Sequence, residues 1–201
     1  MSLFTQYDAN DVADLISEYP LAWVTAVGGG AKTASLLPLI ARLDDGGQVI
    51  RLIGHMSRRN ALLTALTADP RALILFHGPH GYVSPNAAGS RTWLPTWNFA
   101  QVRIEAEVNF EPEGADSALA ALVDVAETGQ DNPWTIDEAG PRYDKLKPLI
   151  IAFSAMPTRV EAVFKLAQDE KPEVLRSILD STQDEALLRW TRRFNADRLT
   201  D

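Results

Sequence analysis

The chain has 201 residues, 46% of them hydrophobic and 23% charged, the composition of an ordinary globular domain and not of a disordered or fibrous chain. It contains no cysteine, which excludes disulfides, thiolate nucleophiles, zinc–thiolate sites and iron–sulfur clusters; 19 basic against 27 acidic residues give a net charge of −8, which repels a phosphate backbone unless a local basic face is present. No apolar run approaches the ~18 residues of a membrane span, and Met1 to Asp11 lacks a basic region followed by an apolar one, so the cytoplasm is the expected location.

Val12, Leu15, Ile16 and Tyr19 share one face at helical spacing, with Asp8 or Asn10 placed to cap and Pro20 to stop a helix over about Val12–Tyr19. β-favouring runs follow at Leu21–Val27, Lys32–Leu43 and Gln48–His55. The turns Gly28-Gly29-Gly30 and Asp44-Asp45-Gly46-Gly47 separate them, the pattern of antiparallel hairpins. Ser57 is placed to cap a short helix, Asn60–Leu66, closed by Asp69-Pro70 ahead of a strand at Ala72–Phe76. Val102, Ile104, Ala106, Val108 and Phe110 alternate with Arg103, Glu105, Glu107 and Asn109, which predicts a long strand buried on one face. A helix over Ser117–Ala126, another near Arg142–Lys147, and strands at Leu149–Phe153 and Arg159–Leu166 come next. The tail from Pro172 reads as two helices broken at Asp180-Ser181-Thr182, with Thr182 and Glu185 at capping-box spacing. Trp23, in an apolar strand, is expected in the core. Trp190 and Phe194, at i and i+4, are expected to pack the last helix onto the barrel or a partner subunit, and Trp134 to do the same for its loop.

About seven strands joined mostly by short turns, with few and peripheral helices, point to a closed or partly closed antiparallel barrel and not to a doubly wound sheet. The domain is expected over residues 1–169, with 170–201 as a C-terminal helical extension of it.

Three constellations carry chemistry. Two of the three histidines, His77 and His80, flank an expected turn in His77-Gly78-Pro79-His80-Gly81-Tyr82-Val83-Ser84-Pro85, without the spacing of a metal site. They read either as turn residues bonding backbone or as ligand-binding groups. Gly54-His55-Met56-Ser57-Arg58-Arg59-Asn60 lies where a strand passes into a helix. Two guanidinium groups, a hydroxyl and helix N-terminal amides are what a phosphate monoester needs, although salt-bridged arginines at a solvated helix start have the same sequence. Trp93, Trp97 and Phe99 enter the long strand and could stack on a planar ligand or belong to the core.

These segments carry a resemblance. Gly78-Pro79-His80-Gly81-Tyr82-Val83-Ser84-Pro85, then Pro95-Thr96-Trp97-Asn98-Phe99, then Lys165-Leu166-Ala167-Gln168, with Gly54-His55, Asn60 and Asn132-Pro133-Trp134 in matching order, resemble the PaiB-like family of FMN-binding split barrels, often labelled negative transcriptional regulators. Residues 101–108 are also similar to the central strand of the pyridoxamine-phosphate-oxidase-like superfamily. The resemblance implies a mainly β fold: a six-stranded antiparallel Greek-key split barrel with flanking and C-terminal helices. It implies a homodimer with two FMN sites at the interface, built from both chains. Ser57, Arg58, Arg59 and Asn60 would hold the FMN phosphate. Tyr82, Ser84, Thr96, Trp97 and Asn98 would line the ribityl and ring region, and Lys165 and Gln168 would reach in from the partner or close the site. His55 and His80 join the cofactor residues as groups able to titrate near neutral pH.

The implied function is that of a flavin-dependent oxidoreductase or a flavin-linked regulator, with no catalytic acid or base singled out. Departures from the family pattern stand at Leu36 (a histidine in the family), Asn86-Ala87-Ala88 (serine-tryptophan-tyrosine), Val163 (lysine), and Ala167 and Asp169 (serine and asparagine). They motivate an alternative, a dimeric interaction module without cofactor. A haem-binding relative using His55, His77 or His80 is another. Direct DNA recognition has the least support, because Arg189, Arg192, Arg193 and Arg198 in the tail are balanced by Asp184, Glu185, Asp197 and Asp201.

Overall fold

The computed structural model describes residues 2–29 and 33–199; Gly30 of the expected first turn, Lys32 at the expected start of the second strand, and Asp201 of the tail lie outside the described residues. Six strands close into an antiparallel barrel: β1 (Leu21–Ala26), β2 (Ala34–Leu43), β3 (Val49–Ser57), β4 (Arg71–Val83), β5 (Thr96–Glu111) and β6 (Ile150–Lys165), in the order β1-β2-β3-β6-β5-β4. The helices are α1 (Ala9–Glu18), α2 (Ala61–Ala68), α3 (Ala115–Glu127), α4 (Pro141–Leu146), α5 (Pro172–Ser181) and α6 (Glu185–Arg193). None of the described helices is long and apolar enough to cross a membrane. The chain divides into two compact units, one of Ala9–Phe76 with Val102–Glu161, the other of Met1–Asp8, His77–Gln101 and Ala162–Asp201.

In the first unit, period-two alternation sends Ala22, Val24 and Ala26 of β1, Ile74 of β4, and Val102, Ile104, Ala106 and Val108 of β5 inward, all buried. Gly54 of β3 is a close-approach position: a Cβ there would lie 2.5 Å from Leu39 Cδ2 and 2.9 Å from Phe153 Cζ. The β2–β3 hairpin turns through Asp44, whose Oδ1 accepts from Gly46 N and Gln48 N, each at 2.9 Å, while Gly47 takes a φ of 78°.

Several expectations are corrected. Among the described residues the count is six strands and not seven, because β6 runs unbroken through Pro157. The β3 ladder along β6 ends at Ala155, so the missing N–H of Pro157 leaves no β3 acceptor unpaired. In the same way β4 continues to Val83, beyond its last β1 pair at Phe76, and Pro79 and both flanking histidines lie in a strand, not a turn. Trp23 is 52% exposed, since the alternation that buries Ala22 and Val24 turns it outward. Helix α2 is capped by Asn60 and not Ser57, and α6 by Asp184 and not Thr182; each side chain accepts from a backbone N–H of the first turn, Leu62 N at 3.0 Å and Leu187 N at 2.7 Å.

In the second unit, Phe164 of β6 stacks on Phe194 (4.4 Å between ring centroids) and on the buried Trp190 of α6 (5.6 Å), which fixes the last helix as its i, i+4 aromatic pair predicts. Leu175, Ile178 and Leu179 of α5 form a small core with Val83 and Ala167. The buried Asn195 donates through its Nδ2 to Leu166 O and Thr191 O, both at 2.8 Å, and the Arg198 guanidinium donates to Asn195 Oδ1 and to the carbonyls of Ala167, Gln168 and Glu170.

Candidate functional site

The β3–α2 junction is the better-built of the chemistry-bearing segments. After Ser57 the chain turns: Asn60 N donates to Ser57 O at 2.9 Å, Arg59 N to Ser57 Oγ at 3.2 Å, and Arg58 N to Leu149 O at 2.9 Å. The Asn60 amide spans the turn, its Oδ1 capping α2 while its Nδ2 donates to Ser35 Oγ at 2.9 Å. Ser57, Arg58 and Arg59 are exposed on this frame. Among the described residues neither Arg58 nor Arg59 has a carboxylate within ion-pair distance; Arg58 reaches only the Pro112 carbonyl, at 3.5 Å. The salt-bridged reading of these arginines is therefore not what the structure shows. Two unneutralised guanidinium groups beside a hydroxyl, held by a turn whose backbone is already hydrogen-bonded, fit a phosphate monoester dianion. Ser57 Oγ accepts from Arg59 N and keeps its own proton to donate.

His55 precedes this segment on β3, half-buried, and its Nδ1 is buried with no hydrogen-bond partner. Burial holds its pKa below the usual 6.5, so the ring is neutral at physiological pH. A cavity of about 400 Å³ opens beside it, lined also by residues of α3, α4 and the segment between them.

The remaining expected residues lie in the second unit. His77 and His80 meet edge to face at 4.5 Å between ring centroids, His80 stacks over Trp97 at 6.3 Å, and Tyr82 lies 5.8 Å from Trp97. Gly78 and Pro79 are buried in succession and break the alternation on β4, so His77, His80 and Tyr82 are all exposed, as is Trp97 on β5. Burial, and then the nearby charge of His80, lower the pKa of His77. Lys165 Nζ donates to Thr96 Oγ1, and Thr96, the buried Asn98 and Lys165 line a second cavity, of about 480 Å³. Gln168 is committed to its own turn, its Nε2 donating to Phe164 O at 2.5 Å and its Oε1 accepting from Leu166 N at 2.6 Å. That turn holds Ala167 at a φ of 66°, the left-handed region. Ser84 likewise accepts from Ala87 N at 3.1 Å within a tight turn. Gln168 is thus held within its own turn, while Ser84 Oγ, like Ser57 Oγ, keeps its own proton to donate.

Ser35, the partner of Asn60, escaped the sequence reading, since nothing in a strand serine announces a partner 25 positions on. So did an apolar row on the outer barrel face. Trp23 pairs directly with Leu36 on β2 and Leu75 on β4, and all three are exposed, at 52%, 44% and 39%. Its sign in the sequence is the apolar residue at an outward position of each strand.

Comparison with known proteins agrees with this architecture. Over 185 residues, 90% of this chain and 87% of the relative, the sequence is 25% identical to the "Protease synthase and sporulation protein PAI 2" of Bacillus subtilis (strain 168). Among solved structures, the FAD and heme binding protein from Mycobacterium smegmatis matches with a TM-score of 0.55 at 16% identity, covering 78% of this chain and 70% of that one. The flavocytochrome Anf3 from Azotobacter vinelandii matches with a TM-score of 0.54 at 17% identity, covering 79% and 68%. These structural likenesses show the split-barrel fold. The model of the family described as "Putative FMN-binding domain" matches residues 1–159, and the chain belongs to that family.

Proposed function

We propose that the protein is a homodimeric flavoprotein that binds FMN through its phosphate at the β3–α2 junction and works as a flavin-dependent oxidoreductase or flavin-linked regulator. The observation that carries this reading is the pair Arg58 and Arg59, exposed and without a carboxylate partner among the described residues in a chain of net charge −8. Family membership supports FMN over other phosphate monoesters. FMN, when bound, supplies hydride and one-electron transfer. The chain's own part is to bind and orient. Arg58 and Arg59 neutralise the phosphate dianion, Ser57 donates its hydroxyl proton, and Asn60 holds the turn through Leu62 N and Ser35 Oγ. The dimer is supported by the row Leu36–Trp23–Leu75, since an exposed contiguous apolar patch marks an interaction surface.

Calorimetric titration of FMN into the wild type and into the Arg58→Glu/Arg59→Glu variant tests the assignment. Two lost charge-assisted contacts, at roughly 1.5–3 kcal/mol each, should weaken binding by about a hundredfold or more while the thermal midpoint holds. Equal affinity in the two proteins would remove the phosphate from this turn.

A further inference from the structure

The cavity beside His55 carries chemistry that a phosphate site does not use. Its walls include Leu119 and Val123 of α3, Ile136 and Ile150, with His55 and Arg142 as polar groups. At about 400 Å³ it is the size of a small-molecule site, and a mainly apolar wall with few convergent polar groups is how such sites are built. The charges on its wall are all positive. Lys147 and Tyr143 both donate to Asp116. Burial, with that hydrogen bond, pushes the Tyr143 hydroxyl up to about 12, so it stays protonated. Asp116 thus offsets Lys147, whereas Arg142 has no carboxylate within ion-pair distance among the described residues. His55 lines the same cavity, and its buried Nδ1 has no partner in the protein.

We propose that this cavity binds a small apolar carboxylate, its hydrocarbon body against Leu119, Val123 and Ile136, its carboxylate on the Arg142 guanidinium, and a hydrogen bond from His55. The site is independent of the phosphate assignment, because Ser57, Arg58 and Arg59 are not among its walls.

The probe is naphthoate, with naphthalenemethanol as its uncharged counterpart, titrated calorimetrically into the full chain with and without FMN. Naphthoate should bind once per chain, and Arg142→Gln should weaken it about tenfold, the worth of one charge-assisted hydrogen bond, while leaving the alcohol unaffected. Val123→Trp, which fills the cavity, should abolish binding of both while circular dichroism shows a folded chain. No naphthoate binding, equal affinity for acid and alcohol, insensitivity to Arg142→Gln, or insensitivity to Val123→Trp in a folded chain would each overturn the proposal. Competitive displacement of naphthoate by FMN would also overturn it, assigning the cavity to the flavin ring, whereas loss of FMN binding in the Arg58→Glu/Arg59→Glu variant with naphthoate binding intact would support two separate sites.

Discussion

Asn60 holds two ends of one turn with a single amide. Its Oδ1 satisfies Leu62 N, one of the donors that a helix start leaves orphaned, and its Nδ2 ties the turn to Ser35 on β2. Removing both contacts should cost about 1–2 kcal/mol of stability, the range of a lost N-cap, and should loosen the frame that presents Arg58 and Arg59. The expected outcome for Asn60→Ala is a lower urea midpoint together with weaker FMN binding. A variant as stable as the wild type would show that Asn60 does not hold the turn. Ser57 and Asn60 are both capping residue types, three positions apart, and sequence does not choose between them. The backbone does: Asn60 has the extended conformation of a cap (φ −68°, ψ 132°) with its side chain on Leu62 N, while Ser57 ends β3.

At the scale of elements, β3 places a histidine where burial disfavours its charged form. The folded pKa of His55 lies below 6.5, so the unfolded chain takes up the proton first as pH falls. Stability from this group is full above the unfolded pKa and declines as pH drops through 6.5 toward the folded value. His77 acts in the same direction. His55→Gln should therefore lose less stability than the wild type when urea unfolding is compared at about pH 7.5 and 5.5; identical losses would show that His55 titrates alike in both states. The inward alternation on β5, the hairpin turn at Asp44–Gly47 and the aromatic pair at the end of α6 were legible in the sequence because each rests on local spacing. Strand length was not. Pro79 and Pro157 look like breaks until the ladder to the partner strand is known to have ended, and that is a property of the β1–β4 and β3–β6 pairings. Residue types alone marked out the Ser57–Asn60 segment; whether its arginines were already neutralised depended on carboxylates elsewhere in the chain.

For the molecule as a whole, the apolar row Leu36–Trp23–Leu75 raises the question of assembly. If it is the face on which two chains meet, Trp23→Glu places a charge in a desolvated interface and should convert a dimer to monomer by light scattering while the barrel's circular dichroism is kept; a dimer persisting unchanged would move the interface elsewhere. Reading Trp23 as core was the natural inference from an apolar strand, and only the barrel's inside-outside sense reverses it. The central claim, that this barrel is a flavin carrier whose phosphate site is the β3–α2 turn, is tested most directly by one spectrum. The purified chain and its Arg58→Glu/Arg59→Glu variant are incubated with FMN, desalted and scanned through the visible range. The account predicts flavin absorption bands retained by the wild type and absent from the variant, with no Soret band in either. A wild type that emerges colourless, or a variant that keeps the flavin, would contradict it.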